Sequence, residues 1–328
     1  MSLRLSLLSA ALITGLATSP SIAAVLTSTN GQARIGINDG GQLVTGEVGI
    51  GFNFTGQGGL TGFQDALSPG CACEAWGVSA NGAGGQIGQD TGNQNITVLA
   101  PGSAAGSFTS NTLLASVPGL SITHAFSVAT ETATGALFKA NVTLTNSTAT
   151  AMSDLRYARS MDWDVPPTPF SELVEHRGVT TTTSLLRATD DGFANANPIT
   201  AVSRAGINAA PNTEGDQGGV GDHGSLFVFG FGSLAAGASY SFDIFYGAGA
   251  DRLDALALLS TVSTELYSLG QSNISGARAD SLPTYVFAFS GVGGTVVVPP
   301  VTTVPEPASL GLMFVGLAGL LVARRSRV

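Results

Sequence analysis

Residues 138–145, FKANVTLT, are the clearest indication of the fold, because apolar and polar side chains alternate there without a break. Successive side chains of a β-strand point to opposite faces, so this alternation predicts a strand with one buried and one polar face. The buried face would consist of Phe138, Ala140, Val142 and Leu144. Such a strand is typical of an antiparallel sheet that covers a core on one side.

Three more segments predict strands. Residues 240–246 alternate in the same way, and Gly224–Gly232 and Thr284–Ser290 are rich in aromatic side chains. Gly, Asn, Asp and Ser separate the short apolar segments from one another, which is the pattern of strands joined by turns. The sequence therefore predicts a mainly β fold, a large antiparallel β-sandwich over residues 25–294.

One segment departs from the strand pattern. Residues 251–269 contain neither glycine nor proline, and apolar side chains recur there at steps of three and four. This spacing predicts one accessory amphipathic helix over about 251–269. Asp251 would cap its start and Gly270 would end it. We expect this helix to pack against the edge of the sheet.

The composition describes an acidic protein of low charge density. Of its 328 residues, 11% are charged and 44 are glycine. When the four arginines and one glutamate of the two proposed cleavable ends are left out, 9 basic and 21 acidic side chains remain, a net charge of −12. An acidic surface repels phosphate backbones, so the composition predicts that no nucleic acid is a partner.

The N-terminus has the three zones of a secretory signal peptide. Arg4 is followed by an apolar stretch from Leu5 to Ala17 and then by a polar segment with small residues, including Ser21 and Ala23. The apolar stretch is too short to span a bilayer, so the pattern predicts a cleaved signal helix over residues 1–24. Signal peptidase is therefore an expected partner, and the protein is expected to be exported.

The C-terminus has three dissimilar parts in order. A proline pair flanks a glutamate, an apolar run follows at Ala308–Ala323, and arginines end the chain. As a helix the run would be roughly 24 Å long, slightly short of the ~30 Å hydrocarbon core. We predict a transmembrane helix over 308–323, held in the cytoplasm at its basic end. Residues 295–304 would form the linker to the body. The residues that define this pattern are Pro305, Glu306, Pro307, Arg324, Arg325 and Arg327.

Residues 305–328 resemble the PEP-CTERM sorting signal of Gram-negative bacteria. The resemblance implies that an exosortase, a membrane protease, processes the chain near the Pro-Glu-Pro motif. It also implies a transient stay at the inner membrane, followed by delivery to the outer surface or to an extracellular polysaccharide matrix. The body resembles a recurrent class of PEP-CTERM proteins of unknown role.

The first candidate site lies in residues 156–164. As a strand, this segment would place Asp162 and Asp164 on one face, about 7 Å from each other. Arg156 would lie on the same face as this aspartate pair. Such a pair suits acid/base catalysis or an oxygen-ligated cation, and Trp163 would offer a sugar-binding ring. The alternative is a strand end on which arginine neutralises the aspartates.

Glu172 and Glu175 follow a proline-rich turn and would approach these aspartates if the chain doubles back. Either glutamate would then supply the third acid of a carbohydrate-active enzyme. His176 has helical spacing from Glu172, but a single Glu-His pair is not a zinc motif. No nucleophile elbow precedes a helix, so the sequence does not favour a serine hydrolase.

The second candidate site is the acidic, glycine-rich loop 214–224. Asp216 and Asp222 supply the hard oxygen ligands that calcium accepts in irregular geometry. The spacing matches neither an EF-hand nor a nonapeptide calcium repeat, and an ordinary solvated turn is the alternative. Calcium is the one cofactor that the sequence offers.

The chain has two cysteines, Cys71 and Cys73, too few for a disulfide-stapled scaffold. One residue apart, they can close a small disulfide in an oxidising compartment. Free or metal-bound thiols are the alternative.

These features predict a non-enzymatic surface or matrix protein that is structural or binds glycan or calcium, with extracellular polysaccharide as a candidate partner. The alternative is an exported carbohydrate-active enzyme that uses Asp162 and Asp164 with Glu172 or Glu175. An enzyme would gather these carboxylates in one place, whereas a structural protein would scatter them.

Overall fold

A computed structural model describes the body of the protein, residues 22–43, 49–67, 69–71, 73–88, 92–193, 195–201 and 209–297. The predicted transmembrane helix and the sorting residues lie outside the described residues. So do residues 1–21 of the predicted signal peptide and residues 298–304 of the predicted linker. The first strand begins at Ile22 and the last ends at Ser290.

Nearly all the regular secondary structure of the described chain is β-strand. In the first third these are β1 (Ile22–Thr27), β2 (Ala33–Asn38), β3 (Ile50–Thr55), β4 (Thr61–Asp65), β5 (Glu74–Ala80), β6 (Ala83–Gly88), β7 (Gly92–Gln94), β8 (Ile96–Val98), β9 (Gly102–Ala104) and β10 (Ser107–Leu114). The middle contains β11 (Leu120–Glu131), β12 (Ala136–Asn146), β13 (Met152–Asp162), β14 (Leu173–Arg177), β15 (Leu185–Thr189), β16 (Gly215–Asp216), β17 (Gly224–Leu234) and β18 (Ser239–Gly249). The helix α1 (Arg252–Ser260) precedes β19 (Leu266–Gln271), β20 (Asn273–Ile274), β21 (Ala277–Arg278) and β22 (Thr284–Ser290).

Two antiparallel sheets form the body of the sandwich. The larger has ten strands in the order β16-β14-β19-β22-β18-β12-β11-β10-β8, with β9 also paired to β10. The smaller has six strands in the order β15-β17-β13-β5-β6-β7. A four-stranded sheet, β1-β2-β3-β4, and the hairpin β20-β21 complete the described strands. The prediction of a mainly β, antiparallel fold is confirmed.

Aromatic side chains fill the space between the two large sheets. Phe229 of β17 lies 4.9 Å from Phe289 of β22, measured between ring centroids, and Phe227 lies 5.6 Å from Phe287. Tyr157 of β13 makes an edge-to-face contact with Phe242 of β18, with the ring centroids 5.0 Å apart. Because these rings come from opposite sheets, the two inner faces share one core.

The alternation that predicted β12 is confirmed. Phe138, Ala140, Val142 and Leu144 are all buried in the core, while the polar residues between them are partly exposed. The strand lies between β11 and β18 near the centre of the large sheet. Its sequence pattern therefore reports the face that the sheet buries.

The accessory helix is present but shorter than the predicted span 251–269. It ends at Ser260, and Leu266 already belongs to β19, so the prediction of a helix up to Leu269 ending at Gly270 is wrong. The cap at Asp251 is confirmed, since its carboxylate accepts a hydrogen bond from the backbone N–H of Asp254 at 2.8 Å.

The helix ends early because the next residues favour extended structure. Thr261, Val262 and Thr264 are β-branched, and Ser263 has a left-handed backbone with φ of 52°. The leucine spacing continues through this break into β19, where Leu266 faces the inter-sheet core. Both faces of β19 are buried, so apolar side chains occur throughout this strand, and the leucine spacing of three and four residues does not distinguish it from a helix.

The helix packs on a sheet face, not on a sheet edge as predicted. Its buried side chains, Ala255, Leu256, Leu258 and Leu259, form a second apolar cluster with residues of β18, β19 and β22. These strands are neighbours in the middle of the large sheet. The helix thus covers the outer face that the sandwich core leaves open.

Within the described ranges, α1 is the longest helix, and no helix has the length and apolar character needed to cross a bilayer.

Gly270 of β19 gives the first testable prediction, because a β-carbon at this position would lie 2.6 Å from Cδ2 of Trp163. We expect Gly270→Ala to lower the free energy of unfolding by about 1–3 kcal/mol through overpacking. The control is Gly102→Ala, where the nearest atom to the new β-carbon would be 3.7 Å away. Urea denaturation checks this, and equal stability of both variants would contradict it.

Candidate metal centre

The end of β13 brings two carboxylates to one place. Met161 and Trp163 lie in the inter-sheet core, so Asp162 and Asp164 point to the opposite face, as the alternation predicted. Asp162 donates its backbone N–H to the carbonyl of Cys73 at 2.9 Å, and Asp164 donates to Ala66 at 2.8 Å. Backbone hydrogen bonds therefore hold both aspartates.

Trp163 fixes this segment and has no accessible surface. Its indole N–H donates to Oγ of Ser268 at 3.0 Å, and its ring packs over Gly270 beside Tyr285. The prediction that this ring offers a sugar-binding surface is therefore wrong. Its role is to anchor the residues on either side of it.

The glycine-rich loop delivers a third carboxylate. Glu172 and Gly221 form an isolated antiparallel bridge with two backbone hydrogen bonds of 3.1 Å. The next residue, Asp222, is exposed and meets the two aspartates of β13. The chain thus doubles back after its proline-rich turn, as the sequence analysis expected.

His223 anchors the same loop through hydrogen bonds of its ring and its backbone. Its Nδ1 lies 2.9 Å from Oδ2 of Asp190, and its Nε2 lies 2.8 Å from the carbonyl oxygen of Gly219. Its backbone N–H donates to Oε1 of Glu172 at 2.7 Å. Because this ring is fully buried, the loop that carries Asp222 has one defined position.

The three aspartates are close enough to share one ion. One carboxylate oxygen each of Asp162, Asp164 and Asp222 lie within 4.8 Å of one another. Calcium binds oxygen at 2.3–2.6 Å, so two oxygens on one ion are at most about 5 Å apart. The observed spacing therefore permits simultaneous coordination.

Asp164 supplies a second, independent sign of a ligand. Its side chain has no accessible surface, and neither carboxylate oxygen has a hydrogen-bond partner among the described residues. Glu172 is equally buried, and its Oε2 also lacks a hydrogen-bond partner within the described part of the chain. Buried ionised carboxylates are normally paired or bound to metal, so a positive partner would stabilise the charged forms of these acids.

The pKa values of these acids reflect the same crowding. Burial, with the charges of Asp222 and Asp65, raises the pKa of Asp164 to about 7. Burial raises the pKa of Glu172 to about 8, and the charges of Asp164 and Asp222 add to the rise. Shifts of this size, produced by burial and like charges, mark candidate functional sites.

Two other predicted site residues lie in a separate cluster. Glu175 accepts hydrogen bonds from Arg252 at 2.6 Å and from Arg278 at 2.8 Å. Although burial opposes it, these two guanidinium groups hold the pKa of Glu175 below its usual value. Asp216 also accepts a hydrogen bond from Arg278. The structure therefore brings neither Glu175 nor Asp216 into the aspartate cluster.

The arginines of β13 have other carboxylate partners. Arg156 forms two hydrogen bonds with Asp154, of 2.8 and 2.9 Å, near the surface. Arg159 is fully buried, forms an ion pair with Glu74 and donates to the carbonyl of Gly41. Arg159 shares the inward face of Tyr157, a position that the sequence analysis left unassigned. The predicted pairing of Arg156 with the aspartates is replaced by its pairing with Asp154.

The remaining histidines are part of the core. His176 lies on strand β14, not on a helix, and its Nε2 is 2.9 Å from Oγ of Ser225. Burial is the main reason that its pKa falls to about 3. His124 contacts the hydroxyl of Tyr157 at 3.0 Å. A neutral, buried imidazole of this kind stabilises packing.

Cys71 and Cys73 form a disulfide beside the centre. The sulfur of Cys71 lies 3.8 Å from Oδ2 of Asp162, and the backbone of Cys73 pairs with the same residue. The disulfide therefore borders the site next to Asp162.

Sequence reasoning missed two residues near the site. Phe170, whose side chain is 49% exposed, lies beside Asp164. Asp65 binds the backbone N–H groups of Gly49, Ile50 and Leu67, and its charge reaches Asp164. No periodicity marks either residue, because their proximity depends on how loops meet.

Comparison with known proteins identifies the C-terminal end. Residues 303–327 match the model of the PEP-CTERM protein-sorting motif. No curated protein and no solved structure matches the chain. The chain is therefore an exported, exosortase-sorted protein of the cell surface. The chain therefore carries the PEP-CTERM sorting motif, as predicted, and this motif leaves the role of the body open.

The raised pKa values give a prediction for the metal-free protein. Asp164 and Glu172 keep protons in the folded state that the unfolded chain loses above about pH 4. The folded state then binds more protons, so stability falls as pH rises from about 4 to 8. In EDTA, we expect Asp164→Asn to reduce this loss by about 2 kcal/mol between pH 5 and pH 8.

Urea denaturation at the two pH values measures the effect. The matched control is Asp154→Asn, because Asp154 is exposed and pairs with Arg156. The groups that face Asp164 are Asp162, Asp222, Asp65 and Glu172, and both variants keep them. A pH dependence identical to the native one in Asp164→Asn would show that this carboxyl carries no buried charge.

Proposed function

We propose that the body of this exported protein is a non-enzymatic surface module that binds calcium through Asp162, Asp164 and Asp222. The observation that carries the proposal is Asp164, a fully buried carboxylate that has no hydrogen-bond partner among the described residues and faces two other aspartates. A cation between them would offset the burial and the mutual repulsion that raise the pKa of Asp164. Glu172, whose charge couples to those of Asp164 and Asp222, adds negative charge next to the ion when it is ionised.

The ligand type supports calcium over softer metals. All candidate ligands are carboxylate oxygens, which suit calcium, magnesium and manganese. The irregular source of the three aspartates, a strand end and a glycine-rich loop, supports calcium, which accepts variable geometry and coordination number. Asp222 is exposed, so the ion would keep water on that side.

The enzyme alternative has one observation in its favour, the raised pKa values of Asp164 and Glu172, which suit a general acid. The cation is favoured because the three clustered groups are all carboxylates, each with an oxygen close enough to the others to share one ion. Glu175, one proposed third acid, is neutralised by arginines and lies outside this cluster.

Calcium binding is the direct test of the proposal. We expect calcium to raise the melting temperature of the purified body and EDTA to reverse the effect, because an ion that binds only the folded state stabilises it. Asp164→Asn and Asp222→Asn should each weaken calcium binding about tenfold or more in isothermal titration calorimetry, a loss of about 1.4 kcal/mol.

Asp216→Asn is the matched control. It removes a carboxylate from the same glycine-rich loop, but one that pairs with Arg278 outside the cluster. Its calcium affinity should stay within about twofold of the native value, since a surface ion pair contributes little. Unchanged calcium affinity in both Asp164→Asn and Asp222→Asn would rule out the proposed site.

For the route of the protein, we propose removal of residues 1–24 by signal peptidase and a transient stay at the inner membrane through residues 308–323. Exosortase then releases the body to the outer surface or to an extracellular polysaccharide matrix. The support is the matched motif at 303–327 together with the apolar run and terminal arginines inside it. The acidic body would not adhere to anionic lipid headgroups during this route.

Replacing Pro305, Glu306 and Pro307 with alanine tests this route. We expect the variant to accumulate in the membrane fraction at its unprocessed mass, because the processed site is lost while the apolar run is kept. Immunoblots of fractionated cells measure it. Thr302→Ala, one residue outside the matched motif, is the control and should be processed normally.

A further inference from the structure

Phe170 is a partly exposed aromatic side chain that shares a neighbour, Gly70, with Asp164 of the metal centre. Its side chain is 49% exposed and belongs to none of the apolar clusters of the described residues. A β-carbon placed on Gly70 would lie 2.7 Å from Cε1 of Phe170 and 3.9 Å from Oδ2 of Asp164. The ring and the carboxylate therefore both lie over the same glycine.

The backbone of Phe170 is strained. Its φ is 67°, a left-handed conformation that costs a bulky residue about 1–2 kcal/mol. Hydrogen bonds on both sides hold it: Ser171 donates to the carbonyl of Thr168 at 3.1 Å, and Asn273 donates to the carbonyl of Ser171. The fold thus keeps an exposed ring in a costly conformation without gaining core packing.

An aromatic face beside a hydrated calcium ion suits one ligand chemistry well. A sugar ring presents C–H groups on one face, which pack against an aromatic ring, and hydroxyl oxygens at its rim. Two neighbouring hydroxyls can replace water on calcium, because the ion accepts neutral oxygen ligands beside carboxylates. Binding sites commonly combine an apolar surface with a few fixed polar groups in this way.

The charge of the centre selects among sugars. Three aspartates and one calcium ion leave a net negative charge, and Glu172 adds to it when ionised. The whole chain has a net charge of −9. Uronates and phosphorylated sugars would therefore be repelled, whereas the binding of a neutral sugar is not weakened by this electrostatic repulsion.

We propose that the metal centre is a calcium-dependent binding site for neutral saccharides, in which vicinal hydroxyls bind the ion and the sugar face packs on Phe170. This inference rests on the proposed calcium site. It identifies the saccharide by its chemistry: a neutral residue with two adjacent free hydroxyl groups. The small exposed area, one ring and one carboxylate, fits a sugar better than a protein, which needs roughly 800 Å² per partner.

The test uses isothermal titration calorimetry on the full body with saturating calcium. The probes are three neutral trisaccharides, mannotriose, maltotriose and cellotriose, and one acidic comparator, trigalacturonate. We expect at least one neutral trisaccharide to bind with calcium and to lose binding in EDTA. Phe170→Leu should weaken that binding about tenfold, because loss of an aromatic anchor typically costs more than 1 kcal/mol.

Two variants keep the test sharp. Phe170→Gly removes the ring at a backbone conformation that glycine adopts freely, so it should fold at least as well as Phe170→Leu and should not bind the saccharide. Leu253→Ala, at a 50% exposed side chain on α1, is the control and should bind like the native protein. Both Phe170 variants should keep native calcium affinity.

The outcomes separate the two proposals. Absence of calcium binding in the native protein would refute the proposed function itself. Calcium binding without binding of any neutral trisaccharide would overturn only the saccharide site. Saccharide binding that persists in EDTA or in Phe170→Gly, or a preference for trigalacturonate, would likewise overturn it.

Discussion

The alternation of side chains along β13 is the constraint on which the rest of the site depends. Met161 and Trp163 are committed to the core between the two sheets, and the indole of Trp163 is hydrogen-bonded to β19 of the opposite sheet. Because successive side chains of a strand point to opposite faces, burying these residues in the core places Asp162 and Asp164 on the other face. The core of the sandwich therefore sets the position of the candidate metal centre.

The second feature of the centre is a buried carboxylate, Asp164, whose negative charge the described residues around it do not neutralise. In the part of the chain that the structure describes, Asp164 is buried next to other carboxylates and has no hydrogen-bond partner, which destabilises its charged form. Two other buried acids of the same protein have positive partners: Glu175 forms ion pairs with three arginines and Glu74 with one. The contrast within one molecule is why we assign the cluster around Asp164 to binding and the others to stability.

Destination and structure fit together in this protein. The matched sorting motif implies a life outside the cell, where calcium is available and disulfides persist. The Cys71–Cys73 disulfide borders Asp162, and the exposed Phe170 borders Asp164. The proposed calcium and saccharide binding would use this oxygen-ligand centre and its aromatic neighbour at the cell surface.

Elements with local signals could be predicted from the residues alone. Strict alternation identified β12 and placed Asp162 and Asp164 on one face, Asp251 marked the start of the helix, and three unlike segments in order identified the sorting tail. The folded chain was needed to show that Asp222, and not Asp216, joins the aspartates, that Trp163 is buried and that Phe170 is exposed. These outcomes depend on loops meeting across many residues of chain, and periodicity within a segment carries no information about which distant side chain will lie opposite it.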